Sequence, residues 1–305
     1  MDKKELIANR IMCSVQEKLG DEYEVKLHYV TKTNKTQAQT ELIIKKGETN
    51  ISPAIYIDEE IQKYLLNLCS LETITDEIIK EYLQCDSIGD YDLSPFKDFG
   101  WVKGRLVCQL VNTSLNENLL RDIPSIPFMD LSIVFRVLLD PLPIDGRPSI
   151  LVTNTHMKLW KTDKETIYAI AKENTPKLLP VMITELDKLI KQMLQERNVS
   201  TEVIDSMGFP KVRMYVLTNQ DIWFGSYCIN YDGILSSLAE KENANLYILP
   251  SSLHEVIVVP DSNGANTEQL KEMVSQVNTT SLPEEELLSY SVYYFSRETQ
   301  KITQL

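Results

Sequence analysis

The stretch LYILPSSLHEVIVVP, residues 246–260, decides the fold class, because it contains two apolar runs separated by a short polar bend. Runs of this length are typical of strands, and the bend predicts that they pair as an antiparallel hairpin. Downstream, the turn at Asn263-Gly264 and the spacing of apolar residues predict a helix over 267–277. The tail SYSVYYFSRETQKIT, residues 289–303, predicts a closing hairpin.

Two segments upstream follow the same order of strand, strand and helix. ILVTNTHMKLW at 150–160 alternates around Asn154-Thr155 and predicts a hairpin, and residues 213–218 and 222–228 predict another. The longer segments 151–174 and 217–243 each carry Thr-Asn at a turn and a Trp in the second predicted strand. A shared ancestor and a hairpin–helix pattern that arose twice both explain this likeness. The sequence therefore predicts an α+β fold with antiparallel sheets built from recurring β-hairpin–helix units.

Capping residues predict where the helices of this half begin. Thr162-x-x-Glu165 and Thr184-x-x-Asp187 both fit a capping box, and Asp232 is placed to cap a further helix. In the helix after Thr184, five apolar side chains are expected to face inward. These are Leu186, Leu189, Ile190, Met193 and Leu194.

The middle of the chain holds two strongly apolar segments. RLVCQLVN at 105–112 predicts a strand, whereas DLSIVFRVLL at 130–139 fits either a buried helix or a central strand. The length of the second segment and a possible cap at Asp130 favour the helix.

The first hundred residues predict an N-terminal α-β-β-β-α segment. A helix is expected from a cap at Asp2 to Gly20, followed by three strands between residues 23 and 57 and by helices from Asp58 and over 76–84. The acidic, turn-rich stretch that follows is the best candidate boundary. We therefore predict domains at 1–94 and 95–305, with one continuous fold as the alternative.

Composition narrows the classes of function. The net charge of −13 disfavours direct binding to nucleic acid or to an anionic membrane, and it suits solubility, a basic protein partner or nucleic-acid mimicry. No export signal and no spanning apolar segment is found in the 305 residues, so a cytoplasmic protein is expected.

Motifs for metals and cofactors do not occur, so we expect neither. The five cysteines are widely spaced and are expected to be reduced core residues. The closest glycine pair, Gly100 and Gly104, excludes the usual phosphate-binding loops and has Val102 at the nucleophile position of a hydrolase elbow. Asp86, Asp90 and Asp92 are interpreted as a solvated acidic loop rather than a cation site; they lack the glycine and the final glutamate of a calcium loop.

The bend PSSLHEV, residues 250–256, is the strongest candidate site. It brings Ser251, Ser252, His254 and Glu255 close together in sequence, and a Ser–His pair with an orienting group supports nucleophilic catalysis. Neighbours on an extended chain seldom point at each other, so the alternative is a turn whose hydroxyls bond the backbone and whose histidine is packed.

Several blocks further resemble a bacterial domain-of-unknown-function family known mainly from anaerobic gut bacteria, itself distantly similar to the YtpQ-like uncharacterised proteins. They include AKENTPKLLP, FGSYCI, LYILPSSLHEVIVVP and VYYFSRE, and the resemblance covers roughly residues 105–297. It implies a cytoplasmic bacterial protein and supplies no activity. Family members often carry a histidine just before SIPFMDL, which this chain lacks. Within the pattern, Asn174, Pro176, Asn219, Ser251, Ser252 and His254 form the candidate ligand or partner face.

Taken together, the sequence favours a non-catalytic protein-interaction or ligand-binding module with an unidentified protein partner. Two alternatives stay open. One is a hydrolase-like enzyme with an irregular site near Ser252 and His254, and the other is an acidic nucleic-acid mimic that inhibits a nucleic-acid-binding protein.

Overall fold

A computed structural model describes most of the chain in two compact units, the first ending at Asp98 and the second beginning at Phe99. The division falls at the end of the acidic stretch, while the predicted separation into two domains stays a prediction. The described residues are 3–31, 33–34, 38–47, 54–85, 93–140, 148–197, 199–200, 203, 213–263, 266–280 and 282–305.

The first unit has the predicted α-β-β-β-α order with a further helix. Ile7, Ile11 and Val15 recur at helical spacing on the first helix and are almost fully buried, and Gly20 ends that helix with a φ of +83°. The predicted cap at Asp2 lies outside the described residues. The elements are α1 (Lys3–Leu19), β1 (Tyr23–Val30), β2 (Gln39–Lys46), β3 (Ala54–Tyr56), α2 (Asp58–Leu65) and α3 (Leu71–Cys85), and the strands form an antiparallel sheet in that order.

The second unit contains two antiparallel sheets and the helices packed around them. Its helices are α4 (Phe99–Lys103), α5 (Glu117–Asp122), α6 (Asn154–Trp160), α7 (Lys164–Leu178), α8 (Leu186–Glu196), α9 (Ile234–Glu242) and α10 (Thr267–Thr280). Its strands are β4 (Leu106–Asn112), β5 (Ile126–Phe128), β6 (Leu131–Leu138), β7 (Ser149–Leu151), β8 (Val181–Glu185), β9 (Tyr215–Asn219), β10 (Leu246–Pro250), β11 (Val256–Pro260), β12 (Tyr293–Ser296) and β13 (Lys301–Gln304). Short 3-10 segments occur at Ser94–Lys97, Ser114–Asn116, Gly225–Asn230, Asp261–Asn263 and Glu284–Glu286.

The helix favoured for residues 130–139 is wrong, because most of them form a strand of the smaller sheet. Those residues form β6, which pairs with β4, β5 and β7. A strand covered on both faces is apolar at successive positions, and this makes it resemble a buried helix in sequence. Asp130 caps no helix; its carboxylate accepts hydrogen bonds from the hydroxyls of Ser289 and Tyr293 at 2.6 and 2.7 Å.

The larger sheet has the strand order β13-β12-β10-β11-β9-β8, and all its pairs are antiparallel. It confirms the hairpin at 246–260, where Leu246 lies opposite Pro260, and the closing hairpin near the end of the chain. The α+β class with antiparallel sheets is thereby confirmed.

Two predicted hairpins of the second unit are wrong. Only residues 149–151 of the first form a strand, and the rest forms α6, whose cap is Thr153. The second hairpin keeps β9 as its first strand, but the predicted second strand is the 3-10 segment Gly225–Asn230. Alternation of apolar and polar residues is not sufficient to form a strand. In the described chain, neither of the two missing strands is paired with a neighbouring strand.

Three helix starts differ from the predicted capping residues by one position. Asp163, and not Thr162, caps α7 by accepting the Thr166 N–H at 2.7 Å. Thr184 lies in β8, so the second capping box is absent, and Gly233 precedes α9 where Asp232 was expected to cap it. None of the five apolar side chains of α8 that were expected inward is buried.

Candidate functional site

Two loops meet at one end of the larger sheet. The first, Asn219–Gly225, follows β9, and the second, Ser251–Glu255, connects β10 to β11. Because β11 runs antiparallel to β9, with Val256 opposite Leu217, the start of β11 lies at the end of β9. We call these two loops, together with Arg136, the His254 loop site.

Hydrogen bonds from the two residues that flank the first loop hold it against the second. The Thr218 hydroxyl donates to the His254 carbonyl at 2.7 Å, and the Ser226 hydroxyl donates to the Leu253 carbonyl at 2.8 Å. A β-carbon built on Gly225 would lie 2.1 Å from Thr218 Oγ1 and 2.4 Å from the His254 carbonyl oxygen. Glycine is therefore required at this position by the approach of the two chains.

Asn219 organises the first loop with its side chain. Its Oδ1 accepts the N–H groups of Asp221 and Trp223 at 3.1 and 3.2 Å, and its Nδ2 donates to the Trp223 carbonyl at 2.7 Å. The loop also holds Ile222 and Phe224 at φ values of +50° and +56°, which are left-handed and strained for residues with large side chains. The three bonds of a fully buried asparagine offset this strain.

The His254 ring is a packed and hydrogen-bonded group. Its Nδ1 accepts the Phe224 N–H at 3.3 Å, which places the proton of the neutral ring on Nε2. The ring centroid lies 5.3 Å from that of Trp223 and 6.0 Å from that of Phe224. Burial lowers the pKa of His254, and the carboxylates of Glu286 and Glu255 partly oppose this effect.

The side chains of the two serines form hydrogen bonds within the turn Ser251–Glu255. Ser252 is 7% exposed, and its Oγ accepts the backbone N–H of His254 at 3.0 Å. The Ser251 hydroxyl donates to Glu255 Oε1 at 3.4 Å. Across the described chain, no hydrogen bond joins the Ser252 hydroxyl to the His254 imidazole. The geometry fits the hydroxyl-stabilised turn better than a nucleophile and its base.

Arg136 reaches this site from β6, and sequence reasoning missed it. Its guanidinium lies 4.8 Å from the centroid of the Phe224 ring, while its Nε donates to Gln109 Oε1 at 2.7 Å and its Nη1 to Ser149 Oγ at 3.2 Å. Burial lowers the pKa of Arg136 to about 10. The signal for it in the sequence is a charged residue inside the otherwise apolar run of β6.

Asn174 and Pro176 do not join the His254 loop site. Asn174 lies on α7 and donates to the Lys103 carbonyl at 2.7 Å. Pro176 lines a separate open cavity of about 560 Å³, which we call the Tyr231 pocket. Its walls come from α7, the start of β8 and the chain between the 3-10 segment Gly225–Asn230 and α9, and they include Ala169, Lys172, Pro176, Pro180, Asn230 and Tyr231. The 3-10 segment thus runs from one site to the other.

The Tyr231 pocket combines apolar walls with a few polar groups. The Tyr231 hydroxyl donates to the Leu179 carbonyl at 2.8 Å, and Lys172 faces Asp232 at 3.6 Å. Asn230 Nδ2 is buried without a hydrogen-bond partner among the described residues. This arrangement can hold a ligand that offers a hydrogen-bond acceptor beside an apolar body.

The residue types that bind metals are dispersed. In the described part of the chain, no three side chains of His, Cys, Asp or Glu converge on one point. Asp86, Asp90 and Asp92 lie outside the described residues. Cys108 and Cys228 are buried as expected, but Cys13 is exposed and therefore is not a core residue. No described helix is long and apolar enough to span a membrane.

Comparisons with known proteins give one match. The model of a family of unknown function, DUF5688, matches residues 5–297. It thus extends through the first hundred residues, which the resemblance seen in sequence had left out. No curated protein and no solved structure matches the chain.

Proposed function

The chain belongs to the DUF5688 family of unknown function, and we propose that it is a non-catalytic module that binds a small ligand in the Tyr231 pocket. The observation that carries the proposal is the unpaired amide of Asn230 beside a cavity of about 560 Å³. A buried amide donor without a partner costs about 1–3 kcal/mol, and a ligand acceptor removes that cost.

The size and walls of the pocket support a small organic ligand. Protein pockets for such ligands measure about 300–1,000 Å³ and combine mostly apolar walls with a few polar groups. Pro176, Pro180, Val181 and Ile234 provide apolar surface, while Asn230 and Lys172 provide donors. The ligand class that fits carries a neutral carbonyl on an apolar body, because the carboxylates of Glu173 and Asp232 also line the pocket and Asp232 is paired with Lys172.

A cavity-filling variant tests this proposal. A panel of small neutral carbonyl compounds is screened by thermal shift against the wild-type protein and against Ala169→Trp, whose indole occupies the pocket. We expect at least one compound to raise the wild-type melting temperature and to lose its effect in Ala169→Trp. Glu165→Trp, one turn earlier on α7 and outside the lining residues, is the matched control and keeps the effect. A panel without any compound that distinguishes the two variants contradicts the proposal.

A protein partner is the second candidate function, and α8 favours it. Its apolar side chains are unburied, with Ile190 at 36% and Met193 at 48% exposure. Exposed apolar faces of this kind mark interaction sites, and the net charge of −13 suits a basic partner.

Capture from host extract tests this second candidate. The double variant Ile190→Lys, Met193→Lys is expected to lose a basic, salt-sensitive partner that the wild type retains. Gln192→Lys, at an exposed polar position of the same helix, is expected to retain it. Equal capture by all three proteins, or none by the wild type, contradicts a site on α8.

The remaining alternatives receive less support. The hydrolase-like alternative needs a hydrogen bond between the Ser252 hydroxyl and the His254 imidazole, and the described residues do not form one. Ser252 Oγ instead accepts the backbone N–H of His254. An acidic mimic needs carboxylates clustered on one face, whereas several here alternate with lysines, as in the pairs Glu173–Lys177 and Glu185–Lys188. The resemblance in sequence supports the further proposal that this is a bacterial, cytoplasmic protein.

A further inference from the structure

Arg136 differs from an ordinary structural arginine in the charge of its partners. Both of its hydrogen bonds go to neutral acceptors, Gln109 Oε1 and Ser149 Oγ. Among the described residues, no carboxylate is paired with the guanidinium, and burial alone lowers its pKa. A guanidinium keeps its charge at neutral pH, so this positive charge is withdrawn from water without a protein counter-charge.

Arg105 shows how the same chain arranges an arginine that has a structural role. Its guanidinium lies 4.2 Å from the Trp101 ring centroid, much as Arg136 lies on Phe224, but it also pairs with the Asp140 carboxylate at 3.0 Å. Arg105 has a carboxylate partner, and Arg136 has none among the described residues. Buried charges are normally paired, so the missing partner of Arg136 is the feature to explain.

The residues around Arg136 support a ligand-binding role for it rather than a purely structural one. The guanidinium lies on the ring of Phe224, and the backbone of Phe224 has a left-handed φ of +56°. The adjacent Trp223, whose ring centroid is 4.7 Å from that of Phe224, has an indole N–H that is buried without a partner among the described residues. A guanidinium without a carboxylate partner and an indole N–H without an acceptor therefore flank one aromatic ring, and strained backbone supports that ring.

We infer that Arg136 binds the anionic group of a small ligand, a carboxylate or a phosphate, beside Phe224 and Trp223. The planar guanidinium offers further N–H donors beyond its two bonds, and carboxylates and phosphates match that geometry in a bidentate manner. Arg136 retains partial exposure to solvent, which a ligand arriving from solution requires. This site involves other residues than the Tyr231 pocket and stands independently of it.

Thermal unfolding with simple anions tests the inference. Inorganic phosphate and acetate are titrated at constant ionic strength against chloride, with wild type, Arg136→Gln and Arg105→Gln. We expect one or both anions to raise the melting temperature of wild type and Arg105→Gln, and the apparent affinity of Arg136→Gln to fall at least about tenfold. A response to phosphate alone indicates a phosphoryl ligand, and a response to acetate alone indicates a carboxylate ligand.

Two further measurements test the inference even if the Arg136→Gln protein does not fold. Arg136→Lys retains the charge without the planar fork and is expected to bind the anion more weakly than wild type. The arginine Nε–H resonances of the wild-type protein, followed by NMR during the phosphate and acetate titrations, are expected to show one buried arginine that shifts and saturates. Neither anion acting beyond chloride, equal responses in all three proteins, or arginine resonances that do not move would overturn the inference.

Discussion

Residues 151–160 and 217–228 look alike in sequence and fold differently. Each contains Thr-Asn followed by a tryptophan. In the first, β7 ends at Leu151, and Thr153 takes an extended conformation that caps α6. In the second, β9 continues through Thr218 and Asn219, and a loop with two left-handed residues follows.

Strand pairing explains the difference. Asn219 still lies opposite Val181 of β8, so its backbone stays extended and its side chain is free to bond the loop that follows. The pairing of β7 with β6 stops at Leu151, so the next Thr-Asn is released to begin a helix. The same residues therefore cap a helix in one place and hold a strained loop in the other, and the sheet decides which.

The largest expected effect concerns the glycine of the second segment. Gly225→Ala places a methyl group within 2.4 Å of the His254 carbonyl oxygen, and backbone atoms cannot move aside cheaply. We expect a loss of about 3 kcal/mol in the free energy of unfolding, or failure to fold. Chemical denaturation followed by circular dichroism measures it.

Gly104→Ala is the matched control for that loss. No atom lies within 4 Å of a β-carbon built at Gly104, so the change is expected to stay within about 0.5 kcal/mol. If Gly225→Ala is as stable as Gly104→Ala, the close approach of the two loops is incorrect.

The asparagines of the two segments sharpen the comparison. Asn219→Ala removes three hydrogen bonds and leaves the N–H and carbonyl of Trp223 without their partner, so we expect a loss of about 2 kcal/mol in stability. Asn154 is more exposed and donates one bond, to the Arg121 carbonyl at 3.1 Å, so Asn154→Ala is expected to cost less than about 0.5 kcal/mol. Urea unfolding of both variants measures the difference. Equal losses would show that Asn219 does not organise its loop.

Much of the fold could be predicted, and the exceptions share a cause. The alternating and apolar runs predicted β10, β11 and the closing hairpin, because these strands pair with neighbours in sequence. β6 and the segment 222–228 were mistaken because distant residues decide them: β6 is covered on both faces, and 222–228 is held by His254 and Leu253. Local patterns carry no information on such contacts.

The candidate site was predicted only in part for the same reason. Proximity in sequence led to Ser251, Ser252 and His254, which the structure places in one loop. Arg136 is distant from that loop in sequence, and only the packing of β6 on Phe224 brings it there. The single indication in sequence was a charge in an apolar strand.

A smaller effect is expected at the cap of the first segment. The Thr153 hydroxyl accepts the His156 N–H at 3.3 Å, and the Thr153 N–H donates to His156 Nδ1 at 3.1 Å. Thr153 and the His156 side chain therefore form a capping box at the start of α6. Thr153→Ala is expected to lower stability by about 1 kcal/mol, and Thr153→Ser to retain most of it. Thermal and urea unfolding compare them. An alanine variant as stable as wild type would remove the distinction drawn between the two Thr-Asn pairs.

The smallest expected effect tests whether His156, in helix α6, and His254, in a loop, behave alike. Burial lowers the pKa of both His156 and His254, so each is protonated less readily in the folded chain than in the unfolded chain, where the value is about 6.5. The unfolded state then binds more protons, so this contribution to stability is complete well above that value and is lost as the pH decreases from about 7.5 to 5.5. Carboxylates titrate mostly below this window. His156→Gln and His254→Gln are each expected to flatten the dependence of the urea midpoint on pH, and the double variant to flatten it most. If the double variant keeps the wild-type slope, groups other than these two rings control stability in this range.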